Sequence, residues 1–136
     1  MYITKEDVMM KCTACTLIIK DDFKNILILK KKVKKGQIGK WSLLSQNLRG
    51  KESDEKCLNK ASNKILKTII FDLEPYKEYV INEEAEEGIR VYKGEIKGRF
   101  VLDKSYDDAK WVHIDELNEY DFEDIDKLII EDFMAE

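Results

Sequence analysis

Apolar and polar positions change rhythm several times along this chain, and each change marks an element. Residues 11–20 (KCTACTLIIK) form a β-branched, apolar run that reads as a strand; 21–25 reads as its turn and 26–32 as a second strand, so that the two make a hairpin. After Trp41 a strand end passes into a polar loop, and the period then becomes three and four. Cys57, Leu58, Ala61, Ile65, Leu66 and Ile69 fall on one face of a helix over 52–67, while Lys56, Lys60, Lys64 and Lys67 occupy its remaining surface. Ser53 supplies the N-cap, and Asp54 and Glu55 put negative charge into the first turn, where the helix dipole favours it. Residues 74–81 and 89–98 again read as strands, joined by the acidic turn 82–88. A late strand runs into 110–117. Residues 121–133 then form a closing helix, with Asp121 as cap and Ile125, Leu128, Ile129 and Phe133 on its buried side. This order predicts an α+β protein with a mixed β-sheet sandwiched between helices.

Composition narrows the function classes. A length of 136 residues with 43% hydrophobic content reads as one domain over 1–136 with one sizeable core, and 38% charged residues imply a well-solvated surface. A net charge of −4 argues against general nucleic-acid binding, which needs a basic footprint to displace counterions. No stretch approaches the roughly 18 apolar residues of a membrane span. The opening MYITKEDVMM lacks the basic-then-apolar order of a signal peptide, so the expected location is cytoplasmic, with no membrane partner.

Several candidate chemistries are present in outline. Cys12 and Cys15 form a C-x-x-C, and with Cys57 and the single His113 they equal the ligand count of a structural zinc. Positions three apart in a strand point to opposite faces, however, and the motif leads into an apolar strand instead of opening a helix; reduced, mostly buried thiols are expected. Trp111, His113 and Asp115 alternate on one strand face, with no second signal for a nucleophile, so His113 reads as a surface or rim residue. Glu83, Glu84, Glu86 and Glu87 read as a solvated loop tip, and the glycines at 36, 39 and 50 lack the spacing of a phosphate loop.

The stretch around the first helix carries more. A lysine-rich strand over 27–32 leads through Gly39 and Trp41 towards Glu52-Ser53, and a second piece, Lys110-Trp111-Val112-His113-Ile114-Asp115-Glu116-Leu117, ends in D-E-L. Both resemble the Nudix hydrolase family (MutT-like scaffold), whose box is a loop-helix-loop reading G-x5-E-x7-R-E-U-x-E-E-x-G-U, with U aliphatic. Anchored on Trp41 and Glu52, the register puts Gln46 at the first Gly, Lys60 at Arg, Ala61 at Glu, Lys64 and Ile65 at the metal-binding Glu pair, and Lys67 and Thr68 at the closing Gly and aliphatic positions. Glu52 and the conservative Lys60 survive; between Glu55 and Asp72 there is no acid.

The resemblance implies a nucleotide-type ligand and, in active members, Mg²⁺ or Mn²⁺ held by carboxylates of the box helix. The degenerate box implies that metal-dependent hydrolysis of nucleoside diphosphate derivatives is lost. The chain would then act as a binding or interaction module for a nucleotide-like small molecule or a protein partner, with no cofactor, and a homodimer left open. The alternative is an active nucleotide pyrophosphohydrolase that recruits Mg²⁺ or Mn²⁺ through acids outside the box helix, such as Glu52, Glu55, Asp107 and Asp108. By the same resemblance Lys64 would face phosphates, and Tyr120, Phe122 and Asp124 fall near the place where relatives contact the base. The lysine-rich segment 33–40 reads by itself as a solvated tip; in the family an equivalent loop borders the substrate cleft.

Overall fold

The computed structural model describes residues 11–136. These form β1 (Lys11–Ile19), β2 (Asn25–Lys31), β3 (Trp41–Ser42), β4 (Leu44–Asn47), α1 (Asp54–Leu66), β5 (Ile70–Asn82), β6 (Glu87–Ile96), β7 (Tyr106–His113), a 3-10 turn over Ile114–Glu119, and α2 (Asp124–Met134). The strands divide between a four-stranded sheet of order β4-β1-β6-β5 and a three-stranded sheet of order β3-β2-β7. The first is mixed: β1 runs antiparallel to β4 and parallel to β6.

Alternation along the central strands explains the layers. In β1, Ala14 and Ile18 join one core with Ile129 and Ile130 of α2, whereas Cys15, Leu17 and Ile19 join another with Leu58, Ala61 and Leu66 of α1. In β2, Ile26 and Ile28 face the α2 side, and Leu27 and Leu29 the α1 side. Successive strand side chains point to opposite faces, so a continuous apolar run has to be covered on both. The expected α+β class therefore holds, with α1 and α2 on opposite faces.

The hairpin expected over 11–32 is corrected. The turn exists, built on Asp21, whose Oδ1 accepts from the N–H groups of Phe23 and Asn25 at 2.8 and 2.9 Å. Beyond the single bridge Lys20↔Ile26 the two strands separate into different sheets. Both hydrogen-bonding edges of β1 are already taken by β4 and β6.

α1 begins as expected, with Ser53 Oγ accepting from Lys56 N–H at 3.2 Å. Ile69, expected on its buried face, is 58% exposed instead. The helix stops at Leu66, because Lys67 adopts the left-handed conformation (φ 55°, ψ 36°) and donates its backbone N–H to Asn63 O. Left-handed backbone at a helix end favours glycine, which lacks the Cβ that clashes there. The position aligned with the closing Gly of the box thus has the geometry of a glycine and carries a lysine. Lys67→Gly is expected to raise stability by about 1 kcal/mol, read as an upward shift of the thermal midpoint.

The C-terminal helix starts later than expected, at Asp124, and Asp121 does not cap it. Backbone groups of 121–123 are used elsewhere: Trp41 N–H donates to Asp121 O at 2.8 Å and Glu123 N–H to Trp41 O at 3.0 Å. This parallel bridge seats Phe122 in the α2-side core at 4% exposure.

Candidate functional site

The polar loop between β4 and α1 and the outer edge of the helix enclose a cleft of about 160 Å³ lined by Gln46, Arg49, Glu52, Cys57, Lys60, Ala61 and Lys64. Three of these side chains are cationic and one is acidic. Glu52 is committed within the protein: Oε1 accepts from Arg49 N–H at 3.0 Å and Oε2 from Lys60 Nζ at 3.1 Å. The Lys60 ammonium, with the Arg49 amide, holds the Glu52 carboxyl below the ordinary carboxylate range. A second compartment of about 230 Å³ adjoins it, sharing Gln46 and Lys64, and is lined also by Lys31, Ser45, Ile65, Ser105 and Tyr106. Ile65 and Ala61 are buried and form the floor, and Lys64 is exposed between the two compartments.

The start of α1 is pinned to the sheet by a cluster that sequence reasoning missed. Arg90 Nη2 donates to Asp54 Oδ1 at 2.8 Å, and Arg90 Nε and the Tyr92 hydroxyl both donate to Oδ2. Burial alone would raise the Asp54 pKa; hydrogen bonds from Arg90, Tyr92 and Cys15 outweigh it and lower the value. The arginine sits within a strand reading of β6 as one alternating polar position, so nothing in the sequence linked it to Asp54. At the other end of the helix, buried Ser62 donates to Thr68 O at 2.9 Å and Thr68 Oγ1 to Lys97 O at 2.6 Å, tying the helix exit to the end of β6.

The remaining sequence candidates lie elsewhere. Tyr120 and Phe122 line a separate, largely apolar cavity of about 210 Å³ with Leu117, Ile130 and Met134; it shares no lining residue with the cleft on α1. Asp124 is exposed in the first turn of α2 and lines neither cavity. Tyr120 is held edge-on to Trp41, with ring centroids 5.6 Å apart. Another acid on α2, Asp126, is 6% exposed. Burial pushes its carboxyl up to about 7, against the lowering effect of a hydrogen bond from Leu43 N–H.

Cys15 and Cys57 are buried and Cys12 half-buried, all as free thiols. Burial pushes the thiols of Cys12 and Cys57 up to about 11. His113 Nδ1 accepts from Asp115 N–H at 3.2 Å and so caps the 3-10 turn. Glu55 faces a shallow depression on the outer side of α1, and Asp107 and Asp108 are exposed on β7. Among the described residues no three His, Cys, Asp or Glu side chains come together as a metal site would require. The donor set of the cleft does not fit a divalent cation: its one carboxylate is satisfied by Lys60 and Arg49, and its other charges are positive.

No protein-family model matches this sequence, and no curated protein matches it. Solved structures do. A MutT protein, from work on the enzymes of Aliivibrio salmonicida and Vibrio cholerae, superposes with a TM-score of 0.78 at 16% identity, covering 92% of this chain and 98% of its own. The MutT Nudix hydrolase of Burkholderia pseudomallei gives 0.74 at 16% identity, covering 89% and 97%. A Nudix hydrolase of Nitrosomonas europaea gives 0.71 at 16% identity, covering 92% and 90%. The chain therefore has the MutT-like Nudix hydrolase fold. No helix among the described residues is long and apolar enough to cross a membrane.

Proposed function

We propose that this protein binds a phosphate-bearing nucleotide derivative in the cleft on α1 without metal-dependent hydrolysis. The observation that carries the reading is the charge of that cleft: Arg49, Lys60 and Lys64 line it, and Glu52 is its single acid, already held by Lys60. In the register of the Nudix box, Lys64 and Ile65 stand where a pair of glutamates would hold the metal, so a cation meets like charge where its ligands should be. At about 4 Å in an effective dielectric near 20, each such pair is worth on the order of 4 kcal/mol, enough to reverse the preference from cation to anion. Lysine and arginine are strong donors to phosphate oxygens. The Nudix fold of the chain supports a nucleotide-derived ligand, and the cleft supports recognition of its phosphate end.

A thermal-shift series with nucleoside di- and triphosphates and sugar nucleotides in EDTA tests this directly. A ligand that binds only the folded state adds about 2.7 kcal/mol at a hundredfold excess over Kd, so a clear upward shift is expected. With Mg²⁺ or Mn²⁺ present, release of phosphate or pyrophosphate is expected to stay at the buffer level. Metal-dependent turnover that disappears in Glu52→Gln would overturn the reading in favour of an active pyrophosphohydrolase.

A further inference from the structure

We infer that the hairpin tip between β2 and β3, residues 31–40, docks this protein on a bilayer surface carrying anionic headgroups, with its lysines on the headgroups and Val33 and Ile38 entering the interfacial layer. This is independent of what the cleft on α1 binds. The net charge of −4 hides an uneven distribution: no acid stands between Asp22 and Glu52, and Lys30, Lys31, Lys32, Lys34, Lys35 and Lys40 fall within that stretch. The lack of a spanning helix excludes a crossing, whereas docking on the surface needs none.

The tip is held in a defined shape. Leu29 and Lys30 pair antiparallel with Ser42 and Trp41, and Lys32 N–H donates to Ser105 O at 3.2 Å. Gln37 N–H closes a turn on Lys34 O at 3.0 Å, with Gly36 at φ 88°. Gly39 lets the returning leg approach the outgoing one, since a Cβ there would stand 3.1 Å from Lys30 Cε and 3.5 Å from Lys31 O. On this frame residues 31–38 are all exposed, Ile38 at 91% and Val33 at 48%. The Ser105 contact brings exposed Lys104 alongside. The acids that strand pairing brings near stand at the base of the hairpin: Asp108 opposite Lys30, and Asp121 and Glu123 beside Trp41. Aliphatic side chains displayed to water among ammonium groups match a surface whose anionic headgroups overlie an apolar layer. RNA is gripped by arginine planes and aromatic stacking; every cation of the tip is a lysine and its apolar residues are aliphatic.

Flotation of the full chain with phosphatidylcholine vesicles, with and without about one-third phosphatidylserine, provides the test. Binding is expected to the anionic vesicles alone, and to fall steeply as salt rises from about 0.1 to 1 M and the Debye length shrinks from about 10 to 3 Å. Each lysine near such a surface contributes about fivefold, so Lys34→Ala with Lys35→Ala should weaken binding about 25-fold. Ile38→Ser should weaken it about tenfold at unchanged salt dependence, because it removes apolar area and no charge. These three residues are exposed and line none of the cavities on α1, so thermal midpoints and nucleotide binding should equal those of the parent protein. Failure to bind anionic vesicles, or binding that survives both variants, would overturn the docking tip. Equal binding to neutral vesicles would overturn the role of charge, and indifference to Ile38→Ser alone would overturn insertion. Single-stranded RNA bound through the same lysines, with vesicles ignored, would overturn the bilayer as partner. The cleft reading stands or falls separately, on nucleotides in EDTA.

Discussion

Arg90→Leu is expected to lower stability by about 3 kcal/mol, roughly 10 °C in melting temperature, the largest loss among the polar substitutions considered. Arg90 is the main partner of an Asp54 carboxylate whose side chain is only 12% exposed, and its removal leaves that charge with the Tyr92 hydroxyl, the Cys15 thiol and little water. A fully buried pair broken on one side costs about 3–5 kcal/mol, and the 33% exposure of the Arg90 side chain places this one at the low end. The double variant Asp54→Asn, Arg90→Leu should be less damaged than the sum of the single changes, because it removes the stranded charge. The pair also has a pH signature. Asp54 has a lowered pKa in the folded protein, so its contribution is present above the ordinary carboxylate range and lost as pH falls through that lowered value. Chemical denaturation at pH 7 and in acid measures both effects. Because Asp54 lies two residues beyond Glu52, loosening the helix start should also disturb the Glu52–Lys60 pair that borders the cleft.

Asp126→Asn is expected to abolish a pH dependence of the opposite sign. The Asp126 carboxyl is pushed up to about 7, above its value in the unfolded chain, so folding favours the protonated form. Its contribution is complete below about pH 4 and is lost as pH rises towards and through 7, a total on the order of 4 kcal/mol for three pK units. Glu123 nearby adds to the upward push, and Lys31 and Leu43 N–H work against it. Asparagine is neutral at every pH and nearly the same size. The variant should therefore match the parent protein at pH 4 and exceed it by several kcal/mol at pH 8, where the parent holds a carboxylate at 6% exposure. Urea midpoints across pH 4–8 provide the measurement; parallel curves for the two proteins would refute the assignment.

How far the sequence could be read depends on whether a residue's role is local. The α1 helix was legible because its cap, its first-turn acids and the three-and-four spacing of Cys57, Leu58, Ala61, Ile65 and Leu66 are all local signals. The β5–β6 hairpin was legible for the same reason, as alternation about an acidic turn. The 11–32 hairpin was misread because the local turn at Asp21 is real, while the strand partners are chosen by distant residues in β4, β6, β3 and β7. Asp121 looked like a cap, and only the pairing of 121–123 with Trp41 reveals that its backbone is engaged elsewhere.

The same division governs the candidate site. The resemblance read from the sequence alone put Ala61, Lys64 and Ile65 at the acidic positions of the box helix, since identity at a helical position needs no tertiary information. It also indicated Lys67 at the position of the closing Gly, although the left-handed backbone there is a structural observation. Tertiary structure decided the rest: that Lys31, far away in β2, joins Lys64 at one wall, that Glu52 is consumed by Lys60, and that Tyr120 and Phe122 open on a different cavity. It also decided that Asp54 meets Arg90 across 36 positions of sequence and that Asp126 is buried against the backbone of Leu43, between β3 and β4. Charge and spacing are written along the chain. Which charges are desolvated, and beside what, is set only when β-strand pairing brings distant segments within hydrogen-bonding reach, and desolvation is what gives those charges their energy.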